Sequence, residues 1–225
     1  MLSHFSICAS FSLTTQLGEK MQLLANVAKM SRPARHLLVK LVAPKIFENV
    51  VSMRVPRGMI RAVKQKFLDQ SLIGVEIGVF EGWHAENIIE TLNIKTLYLV
   101  DPYEAYVDNW DRTSSEDLTK AFGVARHRLA PYRDKVVWVK KPSEAAAKNI
   151  PDDLDFVYID GNHNYEFVKK DVELYYPKIK EGGILGGHNF EINFMGVPKA
   201  VIEFTARKGL KLEGKSPSDW WVEKI

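Results

Sequence analysis

From residue 71 onward, short apolar runs alternate with segments of helical periodicity, and this alternation constrains the fold more than any other feature. Runs that are apolar along their whole length are typical of parallel strands buried on both faces and connected by helical crossovers. Two shorter runs, at 210–213 and 220–223, follow the last helical segment as a hairpin-like ending. The sequence therefore predicts an α/β fold: a seven-stranded, mostly parallel sheet with helices on both faces and a C-terminal antiparallel strand pair. The five main runs are LIGVEIGV, LYLVD, VVWVK, FVYID and GGILGG.

The distribution of charge divides the chain near residue 70. Residues 1–70 carry 11 Lys and Arg against 3 Asp and Glu, whereas residues 71–225 carry 20 against 25. Apolar residues three and four positions apart predict helices between 18 and 43 and between 59 and 68. We therefore predict a basic helical N-terminal extension, residues 1–70, before the sheet domain, residues 71–225. The basic residues form either a solvated helical face or a contact with an anionic surface, and the apolar stripes predict a homodimer.

Composition excludes several classes of protein. A chain of 225 residues can bury a core without disulfides, and its single cysteine, Cys8, excludes cysteine-cluster zinc sites. No apolar run approaches the roughly 18 residues that span a bilayer, and the first residues lack the basic flank of a signal peptide. These features predict a cytoplasmic protein.

A glycine turn follows the first predicted strand, with Glu76, Gly78 and Gly82 in a single short segment. Such a turn allows a ligand to approach the backbone, but its spacing departs from the dinucleotide fingerprint G-x-G-x-x-G. Asp101 ends the second strand, where an acid can accept hydrogen bonds from both hydroxyls of a ribose. The pattern predicts a ligand with an adenosine-like end. The alternatives are a turn without a ligand and an Asp101 that caps the turn before Pro102.

Polar side chains also follow the fourth and fifth predicted strands. Asp160 and His163 come after FVYI, and His188 with Asn189 comes after GGILGG. A carboxylate, an imidazole and an amide oxygen from adjacent strand ends can form a partial shell around a divalent cation. The alternative is a His188 that only caps or packs.

These motifs, taken in order, resemble those of class I S-adenosylmethionine-dependent methyltransferases, whose sheet domain is Rossmann-like. They are most similar to the branch of macrolide-sugar (macrocin-type) O-methyltransferases and, more distantly, to catechol O-methyltransferase. The resemblance covers residues 70–225. It is carried by the segments 76–82, 158–165 and 182–185, by Asp101 and by the closing strand pair.

The resemblance implies a position for S-adenosylmethionine along the strand ends. It assigns Glu76, Gly78 and Gly82 to the methionine and ribose end, Asp101 to the ribose hydroxyls and Ser143 to the surroundings of the adenine. Val79, Phe80 and Asp160 are the further residues expected to contact the cofactor.

The resemblance also implies a metal site and a general base. Metal-dependent members hold magnesium with the residue at Asp160 and a pair after the fifth strand that is commonly Asp-Asp or Asp-Asn. The pair here is His188-Asn189, which favours a softer divalent cation or none, because an imidazole replaces a hard, charged oxygen ligand. His163 matches the proposed general base of the sugar-modifying members.

The resemblance implies an O-methyltransferase that acts on a hydroxyl of a sugar or phenolic small molecule. Tyr103, Tyr106 and Trp110 in the loop after the second strand either wall the acceptor pocket or seal the loop. A nicotinamide-dependent oxidoreductase and a catalytically silent binding module are the alternatives. Nucleic acid is not expected as a partner, because the excess positive charge lies in the extension and no Asn-Pro-Pro-Tyr-type loop is present.

Overall fold

A seven-stranded sheet forms the centre of the computed structural model, which describes residues 55–105, 114–215 and 218–225. The strand order is third, second, first, fourth, fifth, seventh, sixth. The first five strands are parallel, and the seventh runs antiparallel to both the fifth and the sixth. The predicted sheet is thus confirmed. Its strands are β1 (Leu72–Ile77), β2 (Ile94–Val100), β3 (Val136–Val139), β4 (Leu154–Ile159), β5 (Ile179–Gly187), β6 (Glu213–Lys215) and β7 (Asp219–Glu223).

Helices cover both faces of the sheet, as predicted. Val168, Val172 and Phe204 from two helices bury one face, whereas Met59 and Ile88 belong to the apolar cluster on the other. No helix in the described ranges is long and apolar enough to cross a membrane. The helices are α1 (Gly58–Phe67), α2 (Trp83–Thr91), α3 (Ser115–Arg128), α4 (Ser143–Ala146), α5 (Tyr165–Tyr175) and α6 (Gly196–Lys208), with short 3-10 turns at Ala130–Tyr132, Ala147–Asn149, Tyr176–Lys178 and Ile192–Phe194.

Capping residues explain where two of these helices begin and end. The Ser114 hydroxyl accepts a hydrogen bond from the Asp117 amide at the start of α3. Gly209 ends α6 in the left-handed conformation, and Leu210 then packs into the core. Strand pairing therefore starts at Glu213, three residues later than the sequence predicts.

Helix α1 is part of the sheet domain, although the sequence assigns it to the extension. Residues Met53–Ile225 form one compact unit, so the predicted boundary at residue 70 lies inside it. The reason is apolar burial: Met59, Ile60 and Val63 are fully buried in the core of the sheet domain. The helices predicted between 18 and 43, together with Tyr106 and Trp110, lie outside the described residues.

The close approach of β1 and β4 aligns the functional strand ends. Ile77 pairs with Ile159, and Ile159 pairs with Gly187, so β1, β4 and β5 end side by side. The Asp160 amide donates a hydrogen bond to Ile77 O at 2.8 Å, and the His188 amide donates one to Ile159 O at 3.1 Å. Residues that follow these three strands therefore share one edge of the sheet.

Gly78 permits this approach, and Gly78→Ala is expected to lower the free energy of unfolding by about 3 kcal/mol. Its φ is +85°, and an added Cβ would lie 2.1 Å from the backbone oxygen of Asp160. The matched control is Gly123→Ala in α3, where a Cβ meets no atom within 4 Å among the described residues and where alanine raises stability by up to about 1 kcal/mol. Urea denaturation of both variants measures the difference, and equal stabilities would contradict the role of Gly78.

Candidate active site

A cavity of about 300 Å³ opens at the carboxyl ends of the central strands. It is lined by Gly78 after β1, Asp101 after β2, Ser143 after β3, and Gly161 and Asn162 after β4. In open α/β sheets, ligands bind at the carboxyl ends of the strands where the strand order reverses. That reversal lies between β1 and β4, so the cavity occupies the position expected for a cofactor.

The Asp101 carboxylate holds the glycine turn in place. Its Oδ2 accepts hydrogen bonds from the amides of Val79 at 2.9 Å and Phe80 at 3.0 Å, and its Oδ1 accepts one from the Tyr103 amide at 2.8 Å. Asp101 therefore has the turn-forming role that the sequence left open, and it also lines the cavity. Tyr103 is buried among aromatic rings and donates a hydrogen bond from its hydroxyl to Phe80 O, which ties the start of the loop to the glycine turn.

Three of the eight residues predicted to contact the cofactor line this cavity: Gly78, Asp101 and Ser143. Side-chain direction explains why most of the other five predicted residues do not line the cavity. Val79 points into the core, Phe80 into solvent, and Gly82 begins α2 in the left-handed conformation with α3 packed against it. The residues beside the cavity rather than on its wall are Glu76, Val79, Phe80, Gly82 and Asp160.

Glu76 forms a buried pair with His84 beneath the glycine turn. It is 1% exposed, and its Oε1 lies 2.7 Å from His84 Nδ1. Burial raises the pKa of Glu76 well above its ordinary value and lowers the pKa of His84 well below its own, which favours a neutral pair. The Oε2 of Glu76 and the Nε2 of His84 have no hydrogen-bond partner in the described part of the chain. The sequence assigned Glu76 to the cofactor, whereas its side chain faces the interior.

Ser143 and Asp171 form a polar pair in the cavity wall. The Ser143 hydroxyl donates a hydrogen bond to Asp171 Oδ1 at 2.5 Å, and the Tyr175 hydroxyl donates one to Ser143 O at 2.8 Å. Burial raises the pKa of Asp171 to about 7, although the Ser143 hydroxyl opposes that shift. Asp171 was not predicted, but the sequence holds a signal: it lies on the buried face of α5, beside Val172 and one turn before Tyr175.

Asp160 links two cationic or ionisable side chains. Its Oδ2 accepts a hydrogen bond from Arg57 Nη1 at 2.6 Å, and its Oδ1 lies 3.8 Å from His163 Nε2. Burial alone would raise the pKa of Asp160, but the interactions with His163 and Arg57 outweigh burial, so this pKa lies below its ordinary value. Asn189 Nδ2 lies 2.8 Å from His163 Nε2. The structure therefore brings together Asp160, His163 and Asn189, as the sequence predicts.

His188 belongs to a separate set of contacts, deeper in the fold. Its Nδ1 lies 2.9 Å from Asp219 Oδ1, which also accepts a hydrogen bond from the Tyr158 hydroxyl at 3.0 Å. Asp219 Oδ2 accepts a hydrogen bond from the Met59 amide at 2.9 Å, at the start of α1. Tyr158 in turn accepts a hydrogen bond from Arg57 Nη1 at 2.9 Å.

The three residues predicted as metal ligands do not fit a divalent cation in this arrangement. The carboxylate of Asp160 is paired with a guanidinium, His188 turns to Asp219, and the amide of Asn189 faces His163. Across residues 55–105, 114–215 and 218–225, no group of three or more His, Cys, Asp or Glu could hold a metal ion. Arg57, which supplies the nearby positive charge, was predicted only as part of the basic extension.

The fold and the cavity define an α/β domain that binds a cofactor at its strand ends. Residues 75–190 match the methyltransferase domain family, and the chain belongs to this family. Its fold resembles those of solved O-methyltransferases.

Several solved structures share this fold. The calicheamicin methyltransferase CalS11 is 13% identical, with 90% of each chain covered and a TM-score of 0.58. The O-methyltransferase NovP is 16% identical, with 74% of this chain and 79% of NovP covered and a TM-score of 0.56. SMU.1697c of Streptococcus mutans, solved in complex with SAH, is 12% identical, with 74% of this chain and 96% of that chain covered and a TM-score of 0.56.

A curated relative matches part of the chain. It is an uncharacterized protein of Acanthamoeba polyphaga mimivirus, 26% identical over 121 residues. The match covers 53% of this chain and 52% of the viral protein, so the chain spans about half the length of this relative.

Replacing Asp171 tests the electrostatics of the cavity wall. Because the folded-state pKa is raised to about 7, the folded protein binds more protons than the unfolded chain between pH 4 and 7, and Asp171 destabilises the fold as the pH rises through this range. Asp171→Asn abolishes this dependence. The free energy of unfolding of Asp171→Asn minus that of wild type is expected to increase by about 2 kcal/mol from pH 5 to pH 8.

Urea denaturation at the two pH values measures this change. Asp134→Asn, at a carboxylate exposed to solvent, is the control and should show no such rise. A constant difference between wild type and Asp171→Asn would show that Asp171 is ionised at both pH values.

Proposed function

We propose that this methyltransferase transfers the methyl group of S-adenosylmethionine to a hydroxyl of a small molecule, and that His163 is the general base. The observation that carries the proposal is the position of His163. Its ring contacts Asn189 and lies within ion-pair distance of Asp160. In the chain, His163 directly follows Gly161 and Asn162, which line the cavity. An imidazole at this point can take a proton from an acceptor that is aligned with the methyl group.

S-adenosylmethionine, when bound, supplies a methyl group on a positively charged sulfur. As the acceptor oxygen gains the methyl group and the carbon–sulfur bond breaks, the hydroxyl proton passes to the imidazole of His163. Positive charge thus appears on His163, where the Asp160 carboxylate stabilises it. The Phe194 ring, with its centroid 4.7 Å from that of His163, supports the imidazole from one side and limits its rotation. Alignment of the reacting atoms provides much of the acceleration.

The surroundings of His163 favour an acceptor that contains a ring. Ile192 and Met195, which flank Phe194 in sequence, are 82% and 59% exposed and add apolar surface to the segment whose Phe194 ring contacts the imidazole. Sugar and phenol rings present apolar faces that pack on such side chains. Two relatives in fold support the same class, because NovP is an O-methyltransferase and CalS11 is a TDP-rhamnose 3'-O-methyltransferase.

His163→Ala is expected to lower kcat by about 10²- to 10⁴-fold, because the acceptor loses its proton acceptor. The assay measures S-adenosylhomocysteine released from S-adenosylmethionine with TDP-rhamnose and with catechol as acceptors. Calorimetry should show unchanged affinity for S-adenosylhomocysteine, since His163 does not line the cavity.

His127→Ala, which removes an exposed histidine of α3, is the matched control and should retain full activity. Loss of cofactor affinity in His163→Ala, or turnover at the wild-type rate, would contradict the role of His163 as base.

A further inference from the structure

We propose that the guanidinium of Arg57 takes the place of a divalent cation in this active site and binds two adjacent oxygen atoms of the acceptor, so that methyl transfer requires no metal ion. This inference rests on the proposed O-methyl transfer at His163. It adds to that proposal a source of positive charge beside the acceptor oxygens and a narrower substrate class, namely a vicinal diol or a catechol.

The position of Arg57 is fixed from several sides. Its Nη1 donates to Asp160 Oδ2 at 2.6 Å and to the Tyr158 hydroxyl at 2.9 Å. The helix that follows is held by the hydrogen bond from the Met59 amide to Asp219 and by its buried apolar face. These contacts therefore hold the guanidinium at the carboxyl end of β4.

The charges at this point are already balanced. Asp160 carries one negative charge, and the Arg57 guanidinium beside it carries one positive charge. A second carboxylate of this region, Asp219, is fully buried and accepts hydrogen bonds from Tyr158 and the Met59 amide while contacting His188. A divalent cation placed at Asp160 would be repelled by Arg57, and the other two predicted ligands, His188 and Asn189, face other partners.

Arg57 retains hydrogen-bonding capacity toward the acceptor. Among residues 55–105, 114–215 and 218–225, its hydrogen bonds use Nη1 alone, and Nε and Nη2 have no hydrogen-bond partner there. The side chain is 30% exposed, so these donors are accessible. A guanidinium presents a planar fork that suits two neighbouring oxygens.

Arg57 and His163 flank the two oxygens of one carboxylate. An acceptor with adjacent oxygens can therefore place one oxygen at Arg57 while the other loses its proton to His163. The positive charge of Arg57 also favours the deprotonated form of such an acceptor. Both effects are those that a metal ion provides in metal-dependent catalysis.

The first experiment measures metal binding directly and needs no acceptor. The full chain, loaded with S-adenosylhomocysteine, is titrated with MgCl₂ and with MnCl₂ by calorimetry. We expect no saturable binding that depends on Asp160. Saturable binding that disappears in Asp160→Ala, which removes the ligand oxygens, would overturn the proposal, whereas binding that persists in Asp160→Ala lies elsewhere and supports it.

The second experiment measures S-adenosylhomocysteine release with catechol and TDP-rhamnose, with and without excess EDTA. Wild-type activity should not change with EDTA. Arg57→Ala should lower kcat/KM by about 100-fold, mainly through a higher KM, and added guanidinium ions should restore part of it. Arg57→Lys, which keeps the charge and loses the fork, should be intermediate. Lys64→Ala, which removes a charge from the same helix at an exposed pair with Asp69, is the matched control.

Three outcomes would overturn the proposal. The first two are a loss of wild-type activity in EDTA and an unchanged kcat/KM in Arg57→Ala. The third is a loss of activity in Arg57→Ala that guanidinium does not restore and that accompanies weaker binding of S-adenosylhomocysteine. The last result would assign Arg57 to folding alone. If wild type methylates neither acceptor, the proposed function fails for these hydroxyls, and the metal titration still decides whether Arg57 excludes a cation.

Discussion

The pairing of β1 with β4 is the constraint on which the rest of the site depends. The Asp160 amide bonds to Ile77 O, and Gly78 leaves room for the backbone of Asp160. Gly78 and Gly161 then border the cofactor cavity, while the side chain of Asp160 meets Arg57. The cavity and the cluster of Asp160, His163 and Asn189 are thereby held at the same strand ends.

Strand ends were predictable from the sequence because topology places them. Apolar runs separated by helical segments imply parallel strands, and the carboxyl ends of parallel strands share one edge of a sheet. This rule predicts Gly78, Asp101 and Ser143 at one edge of the sheet, where they line the cavity, and Asp160, His163 and Asn189 at the same edge, where they lie close together. It uses only backbone connectivity, which periodicity reveals.

Side-chain partners were not predictable in the same way. Arg57 contacts a carboxylate 103 residues away, and the sequence shows only its membership in a basic segment. Glu76 lies in the glycine motif, yet strand alternation turns its side chain inward to His84. His188 follows β5 as predicted, but Asp219 on β7 attracts its imidazole. Asp171 was missed because a single acid on an apolar helix face gives no sign of its partner, Ser143.

Helix α1 has a consequence for how such domains diverge. The residues that match the family span 75–190, so Arg57 and Asp219 both lie outside them, one before the shared segment and one after it. The residues that line the cavity lie within the matched segment, whereas the guanidinium beside Asp160 comes from the sequence before it. A graft cut at the limits of the matched segment would therefore transfer the cavity without the guanidinium of Arg57.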